Sequence, residues 1–157
     1  MVTIRFRVKP HLKEYLYGKY SQSTTEPIRF PDITDIYHLI FDLTVKRPVN
    51  CPVDSGNLEI VLPEMRSSKQ PKTYNYIGSR SGKTIEKKIE EMFWFDLRNF
   101  IENGHAKRGI SYKESAFEFL YMYGISSISE DALVKHYYRW RKKIRNPGRR
   151  TRIFKNI

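Results

Sequence analysis

The chain has 157 residues, of which 39% are hydrophobic and 14% are aromatic, so it can bury the core of one globular domain and does not resemble a disordered chain. Its single cysteine, Cys51, excludes an intramolecular disulfide and a multi-cysteine zinc site. The formal net charge of +12 favours a polyanionic partner.

The first elements are predicted to be a strand and a helix. Residues Val2–Val8 alternate apolar and polar side chains, which is the period of a half-buried strand. After Pro10, the spacing of apolar side chains over His11–Tyr20 predicts a helix that Gly18 ends early. The N-terminal residues are charged and do not resemble a signal peptide, and no apolar run approaches the length of a membrane span. We therefore expect a cytoplasmic protein that does not bind a membrane.

The following segment is predicted to combine short strands with one helix. A short strand is expected at residues 28–30, and a helix over Ile33–Lys46 that is capped by Asp32 and buries Ile33. After an irregular, proline-containing connection, Leu58–Leu62 and Lys72–Ile77 are predicted to pair as a hairpin with a long loop. The N-terminal half therefore favours an α+β structure.

Apolar residues recur with a helical period beyond residue 80. The first predicted helix runs over Ser81–Asn103 and stops at Gly104. Ser111 and Glu114 form a capping box for a second helix, which Gly124 closes. We therefore predict an α+β fold. Its N-terminal part (residues 1–80) is a small mixed or antiparallel sheet with helices. A helix-turn-helix-like region of three helices (81–145) packs on this part, and a flexible basic tail (146–157) follows.

The last helix has one apolar face and one basic face. Ser129 is its predicted N-cap, and Pro147 prevents continuation beyond about Arg145. The predicted apolar face consists of Leu133, Tyr137, Trp140 and Ile144. The candidate DNA contacts lie on the opposite face and in the tail, and they are Lys135, His136, Arg139, Lys142, Lys143, Arg145, Arg149, Arg150 and Arg152.

Basic residues are concentrated in the last part of the chain. Residues 135–157 contain ten Lys and Arg residues and no Asp or Glu, whereas the other 134 residues contain 19 basic and 17 acidic residues. A local cationic stretch on a nearly neutral body is typical of a phosphate-binding surface. Together with the helix before it, the last helix resembles a helix-turn-helix, which implies contact with a DNA groove. RNA contact and a merely solvated basic face are the alternatives.

Three stretches at the two ends of the chain carry a resemblance to a group of proteins. They read VKPHLKEYL (residues 8–16), YMYGI (121–125) and YYRWRKK (137–143). These stretches are similar to uncharacterised proteins carried by mobile elements or prophages of Bacteroides-type bacteria. The resemblance implies a context of DNA maintenance or regulation, and it assigns no catalytic residue.

The stretch GSRSGKT (residues 78–84) is similar to a nucleotide-binding loop, but it is one residue too short. Such a loop needs four residues between its glycines to wrap backbone N–H groups around phosphates, and three are present. Binding of ATP or GTP is therefore not expected. The start of the following helix is instead a candidate contact for one DNA backbone phosphate, through Arg80, Ser81, Lys83 and Thr84.

Other function classes receive less support from the sequence. The four histidines share no metal-ligand spacing, so no metal site is predicted. No cofactor and no catalytic residue are predicted either. Non-catalytic binding of duplex DNA, with a regulatory or mobile-element role, is the leading interpretation. The alternatives are a protein-interaction adaptor with a solubilising tail and, third, a metal-dependent nuclease; homodimerisation stays open. The acidic residues that a nuclease would have to gather are Asp32, Asp35, Asp54, Glu59 and Glu64.

Overall fold

A computed structural model of the chain describes residues 1–21, 23–64 and 69–146. These residues form an α+β fold, as predicted from the sequence. None of the helices in these ranges combines the length and apolar content needed to cross a bilayer. The elements, in chain order, are β1 (Thr3–Phe6), α1 (Pro10–Tyr20), α2 (Asp35–Leu43), β2 (Leu58–Val61), α3 (Ser79–Arg108), α4 (Tyr112–Tyr123) and α5 (Glu130–Arg145).

The sheet consists of β1 and β2, which run antiparallel with Ile4 opposite Ile60. Ile28 adds a single parallel bridge to Ile60, where a short strand was predicted. The predicted hairpin between Leu58–Leu62 and Lys72–Ile77 is wrong, because β2 pairs with β1 and Tyr76 makes only one bridge, to Val45. Strand pairing follows the burial of apolar faces, and β1 offers β2 such a face whereas the residues around Tyr76 are exposed or half-buried.

Helix α2 begins later than predicted. Its N-cap is Thr34, whose hydroxyl accepts a hydrogen bond from the Tyr37 N–H at 3.4 Å, so the predicted cap at Asp32 is wrong. Ile33 precedes this cap and therefore lies outside the helix, where it is 88% exposed instead of buried. The buried face of α2 consists of Ile36 and Ile40.

Two glycines that were predicted to end helices lie inside them. A Cβ on Gly18 of α1 would lie 2.4 Å from the carbonyl oxygen of Tyr123, and a Cβ on Gly104 of α3 would lie 2.6 Å from Ser115 Oγ. Both glycines therefore permit α4 to approach its neighbours closely. Helix α3 continues to Arg108 and ends at Gly109, which has a φ of 65° in the left-handed region.

The capping residues predicted for α4 and α5 are confirmed. The Ser111 hydroxyl accepts a hydrogen bond from the Glu114 N–H, and the Ser129 hydroxyl accepts one from the Ala132 N–H, each at 3.2 Å. Gly124 closes α4 with a φ of 67°. These local signals place the turn between α4 and α5 at residues 124–129.

One apolar core joins the sheet and the helices. Phe93, fully buried near the middle of α3, packs edge to face against Tyr15 of α1 at 5.3 Å and Phe119 of α4 at 5.7 Å. Ile4 of β1 and Leu133 of α5 belong to the same buried cluster. The N-terminal elements and the C-terminal helices therefore share their core, and α5 is held on a continuous support.

Candidate nucleic-acid interface

Helix α5 is attached to α4 through its N-terminal half and centre. Leu133 and Tyr137 are buried, and the Tyr137 ring packs against Tyr112 of α4 with centroids 4.9 Å apart. Lys113 lies 4.0 Å from Asp131 of α5. The first turn of α4 therefore lies over the N-terminal half of α5, and this contact fixes which face of α5 is turned inward.

Helix α3 supports a second side of α5. The imidazole of His136 stacks on the indole of Trp94, with centroids 3.5 Å apart and planes inclined by 13°. The Arg98 guanidinium lies 4.9 Å from the centre of the Trp140 ring, which is a cation–π contact. Because α3 and α4 contact α5 on adjacent sides, its remaining face is exposed to solvent.

The exposed face of α5 carries Lys135, Arg139, Lys142 and Lys143. Every Asp and Glu of the chain lies within the described residues, and none of them forms an ion pair with these four cations. Other cations in the described ranges, such as Arg29 and Lys72, are also unpaired, but those on α5 are concentrated on one helix face. The seven cations that form ion pairs in these ranges all lie outside α5. They are Arg5, Lys9, Lys19, Arg47, Lys88, Arg108 and Lys113.

His136 differs from the other candidate contacts on α5, because its ring is half-buried against Trp94. Burial lowers the pKa of His136 below its ordinary value, and the cations Arg98 and Lys143 lower it further. The imidazole is therefore mainly in its neutral form at pH 7. The prediction that His136 lies on the exposed basic face is wrong, because its ring packs against Trp94 of α3.

The C-terminal end of the predicted apolar face also needs revision. Trp140 is half-buried, and Ile144 is 57% exposed because the described residues leave it uncovered. Arg141, which the sequence did not single out, is half-buried and donates a hydrogen bond to the Tyr112 hydroxyl. Its spacing from Tyr137, one turn earlier on the buried side, is the signal that could have identified it as a packing residue.

The remaining tail contacts are only partly within the described residues. Arg145 is the last residue of α5 and is exposed. Arg149, Arg150 and Arg152 lie outside the described residues, so their contribution to binding stays a prediction.

The turn between α4 and α5 is held by one carboxylate of α1. Glu14 accepts hydrogen bonds from the Ser126 N–H at 2.8 Å, the Ser126 hydroxyl at 3.0 Å and the Ser127 N–H at 3.1 Å, and also from the Ser127 hydroxyl. Burial alone would raise the pKa of Glu14, but these hydrogen bonds prevail and lower it. The position of the turn is therefore tied to the body of the protein.

The second set of candidate contacts lies at the start of α3. Gly78 is the N-cap, Arg80 and Lys83 are exposed, Ser81 is half-buried, and the Thr84 hydroxyl donates to the Arg80 carbonyl at 3.1 Å. The stretch is thus largely helical and forms no wrapping loop. Lys83 precedes Trp94 by eleven residues, or about 16 Å of helix, so this set is separate from the α5 surface.

Two of the acidic residues considered for a nuclease form ion pairs. Asp54 pairs with Arg47 at 2.8 Å, and Glu59 binds Arg5 at 3.2 Å across the sheet. Within the part of the chain that is described, no three His, Cys, Asp or Glu side chains are grouped so that they could hold a metal ion.

Comparisons of the chain with protein-family models, with curated proteins and with solved structures gave no match. The function is therefore inferred from the residues and geometry of this chain alone.

Proposed function

We propose that this chain is a non-catalytic protein that binds duplex DNA through the exposed cationic face of α5, in a regulatory or mobile-element context. The observation that carries the proposal is the absence of ion-pair partners for Lys135, Arg139, Lys142 and Lys143 within the described residues. Unpaired cations on one face attract phosphates, because each phosphate contact also releases condensed counterions.

The packing of α5 supports the same function. This helix contacts α4 through Tyr137 and α3 through His136 and Trp140, whereas its four cations are exposed. The helix that carries the cations is thus held in place before a ligand arrives, so its backbone loses little conformational entropy on binding. A packed three-helix unit that presents one helix to solvent is also an arrangement found in proteins that bind duplex DNA.

Fluorescence anisotropy with labelled duplex DNA, single-stranded DNA and RNA at two salt concentrations tests the proposal. The parent protein should bind the duplex most tightly, and its affinity should fall steeply as salt rises. Arg139→Ala/Lys142→Ala should weaken binding and reduce the salt slope by about one for each phosphate that is no longer neutralised. Arg29→Ala/Lys72→Ala is the matched control, because it removes the same charge from exposed positions on the N-terminal body. Equal binding by the parent and the α5 variant would refute the proposal.

A second candidate function is the protein-interaction adaptor, and one observation favours it. Phe117 and Tyr121, one turn apart on α4, are 58% and 83% exposed, and Met122 beside them is 55% exposed. Exposed aromatic and Met side chains on one helix are common at protein interfaces. Size-exclusion chromatography with light scattering, on the parent and on Phe117→Ser/Tyr121→Ser, would reveal a homodimer held by this surface. Binding through such an apolar surface would be nearly independent of salt.

A further inference from the structure

The two ends of α5 carry opposite charges. Its first turn contains Glu130 and Asp131, whereas its last turn is basic. Asp131 pairs with Lys113 at 4.0 Å, but both side chains are mostly exposed, at 73% and 65%, so the pair is weak. The N-terminal end of α5 therefore remains acidic.

An acidic first turn is unsuited to insertion into a DNA groove. In helix-turn-helix docking, the N-terminal residues of the second helix contact base edges, and phosphates flank them. Carboxylates at that position repel the phosphates, and exclusion of water strengthens the repulsion. Lys135 lies only about 8 Å from Glu130 along the helix, but it is one cation against two carboxylates. The cations near Lys142 lie about 18 Å from Glu130, beyond the screening length of about 8 to 10 Å, and add little.

The exposed face of α5 also offers few groups that read bases. Asn and Gln, which recognise adenine, do not occur between Glu130 and Arg145. The imidazole of His136 is stacked on Trp94 and is turned away from this face. Three of the four cations on the face are lysines, which bind phosphates as hydrated point charges without fixed geometry. The face is therefore suited to phosphates.

We propose that α5 lies along the phosphate backbone of the duplex through its C-terminal half, and that Glu130 and Asp131 hold its first turn out of the groove. Binding then depends on charge and duplex length and is independent of base sequence. The inference rests on the proposed function and adds the way in which the DNA is recognised. The two carboxylates set the orientation of the helix and limit its specificity.

Selection from a random duplex library, followed by titration of the recovered sequences, tests the inference. The recovered pool should remain random, and single duplexes of equal length should differ in affinity by less than about threefold, whereas sequence-specific proteins discriminate by about a thousandfold or more. Glu130→Gln/Asp131→Asn should strengthen binding to every duplex by about two- to fivefold at low salt, because two repulsive charges are removed. Glu26→Gln/Asp32→Asn, which makes the same charge change on the N-terminal body, should have a smaller effect.

The outcomes separate the inference from the proposed function. Recovery of a motif that binds at least about tenfold tighter than random duplex would overturn the inference and leave DNA binding intact. Weaker binding by Glu130→Gln/Asp131→Asn would also overturn it, because the carboxylates would then contact bases. Failure of the parent to bind any duplex would overturn both.

Discussion

The imidazole of His136 lies flat on the indole of Trp94, with ring centroids 3.5 Å apart, and thereby joins α5 to α3. Burial, followed by Arg98, Lys143 and Arg139, lowers the pKa of this imidazole, while Glu90 opposes the shift. The stack is therefore mainly a contact between neutral rings, and His136 adds little to the positive charge of α5.

Acidification should weaken the fold in the range where this histidine titrates. A histidine whose folded-state pKa is below its unfolded value of 6.5 contributes stability above that pH, which is lost as the pH falls through the folded pKa. Thermal denaturation without DNA should give a lower Tm at pH 5 than at pH 7, and His136→Phe should reduce the difference. His11, whose pKa burial also lowers, should account for a remaining part. An unchanged pH dependence in His136→Phe would contradict this prediction.

Glu14 should stabilise the turn between α4 and α5. Its carboxylate accepts hydrogen bonds from both Ser126 and Ser127, so Glu14→Ala should reduce the free energy of unfolding by about 1 to 2 kcal/mol in urea titrations near pH 7. Because these bonds depress the pKa of Glu14, their contribution is present above the unfolded value of 4.5 and is lost as the pH falls through the folded value. The variant should therefore lose less stability than the parent in acid. Glu26→Ala, at an exposed position, should stay within about 0.5 kcal/mol of the parent.

The two glycines of α3 should respond in opposite directions to alanine. At Gly104 the new Cβ would lie 2.6 Å from the buried Ser115 hydroxyl oxygen, so Gly104→Ala should destabilise the protein by about 1 to 3 kcal/mol. At Gly82 the nearest atom is 4.0 Å away, on Ile77, and the alanine should stabilise the helix by up to about 1 kcal/mol. Urea titration of both variants measures the difference. Equal effects would show that α4 does not approach α3 so closely.

The side chains that hold α5 should differ in their contributions according to burial. Leu133 is fully buried, so Leu133→Ala should cost about 2 to 5 kcal/mol. Trp140 is half-buried and contacts Tyr137 and Arg98, so Trp140→Ala should cost less, about 1 to 3 kcal/mol. Arg139→Ala/Lys142→Ala should leave the free energy of unfolding nearly unchanged, since exposed cations contribute little to folding. A large loss of stability in that double variant would remove the distinction between the supporting and the binding face.

The sequence predicted the features that depend on near neighbours along the chain. Ser111 and Ser129 were identified as caps because the N–H groups they bind lie three residues further on. The strand partner of β2 was missed, because residues far along the chain decide which apolar face it covers. His136 was misplaced for the same reason, since the helical pattern shows the spacing of α5 but not that Trp94 occupies one side of it.

The hydrogen bond between Glu14 and Ser126 joins residues that are 112 positions apart. Closing so long a loop has a large entropic cost, and contacts of high sequence separation form late and slowly in folding. During synthesis, nearly all of the described chain must be made before α1 can contact the turn between α4 and α5. The helicity of α5 is a local property, but its orientation on the body is a late product of folding. We therefore expect the hydrogen bonds between Glu14 and this turn to form late in folding, after the helices that flank the turn.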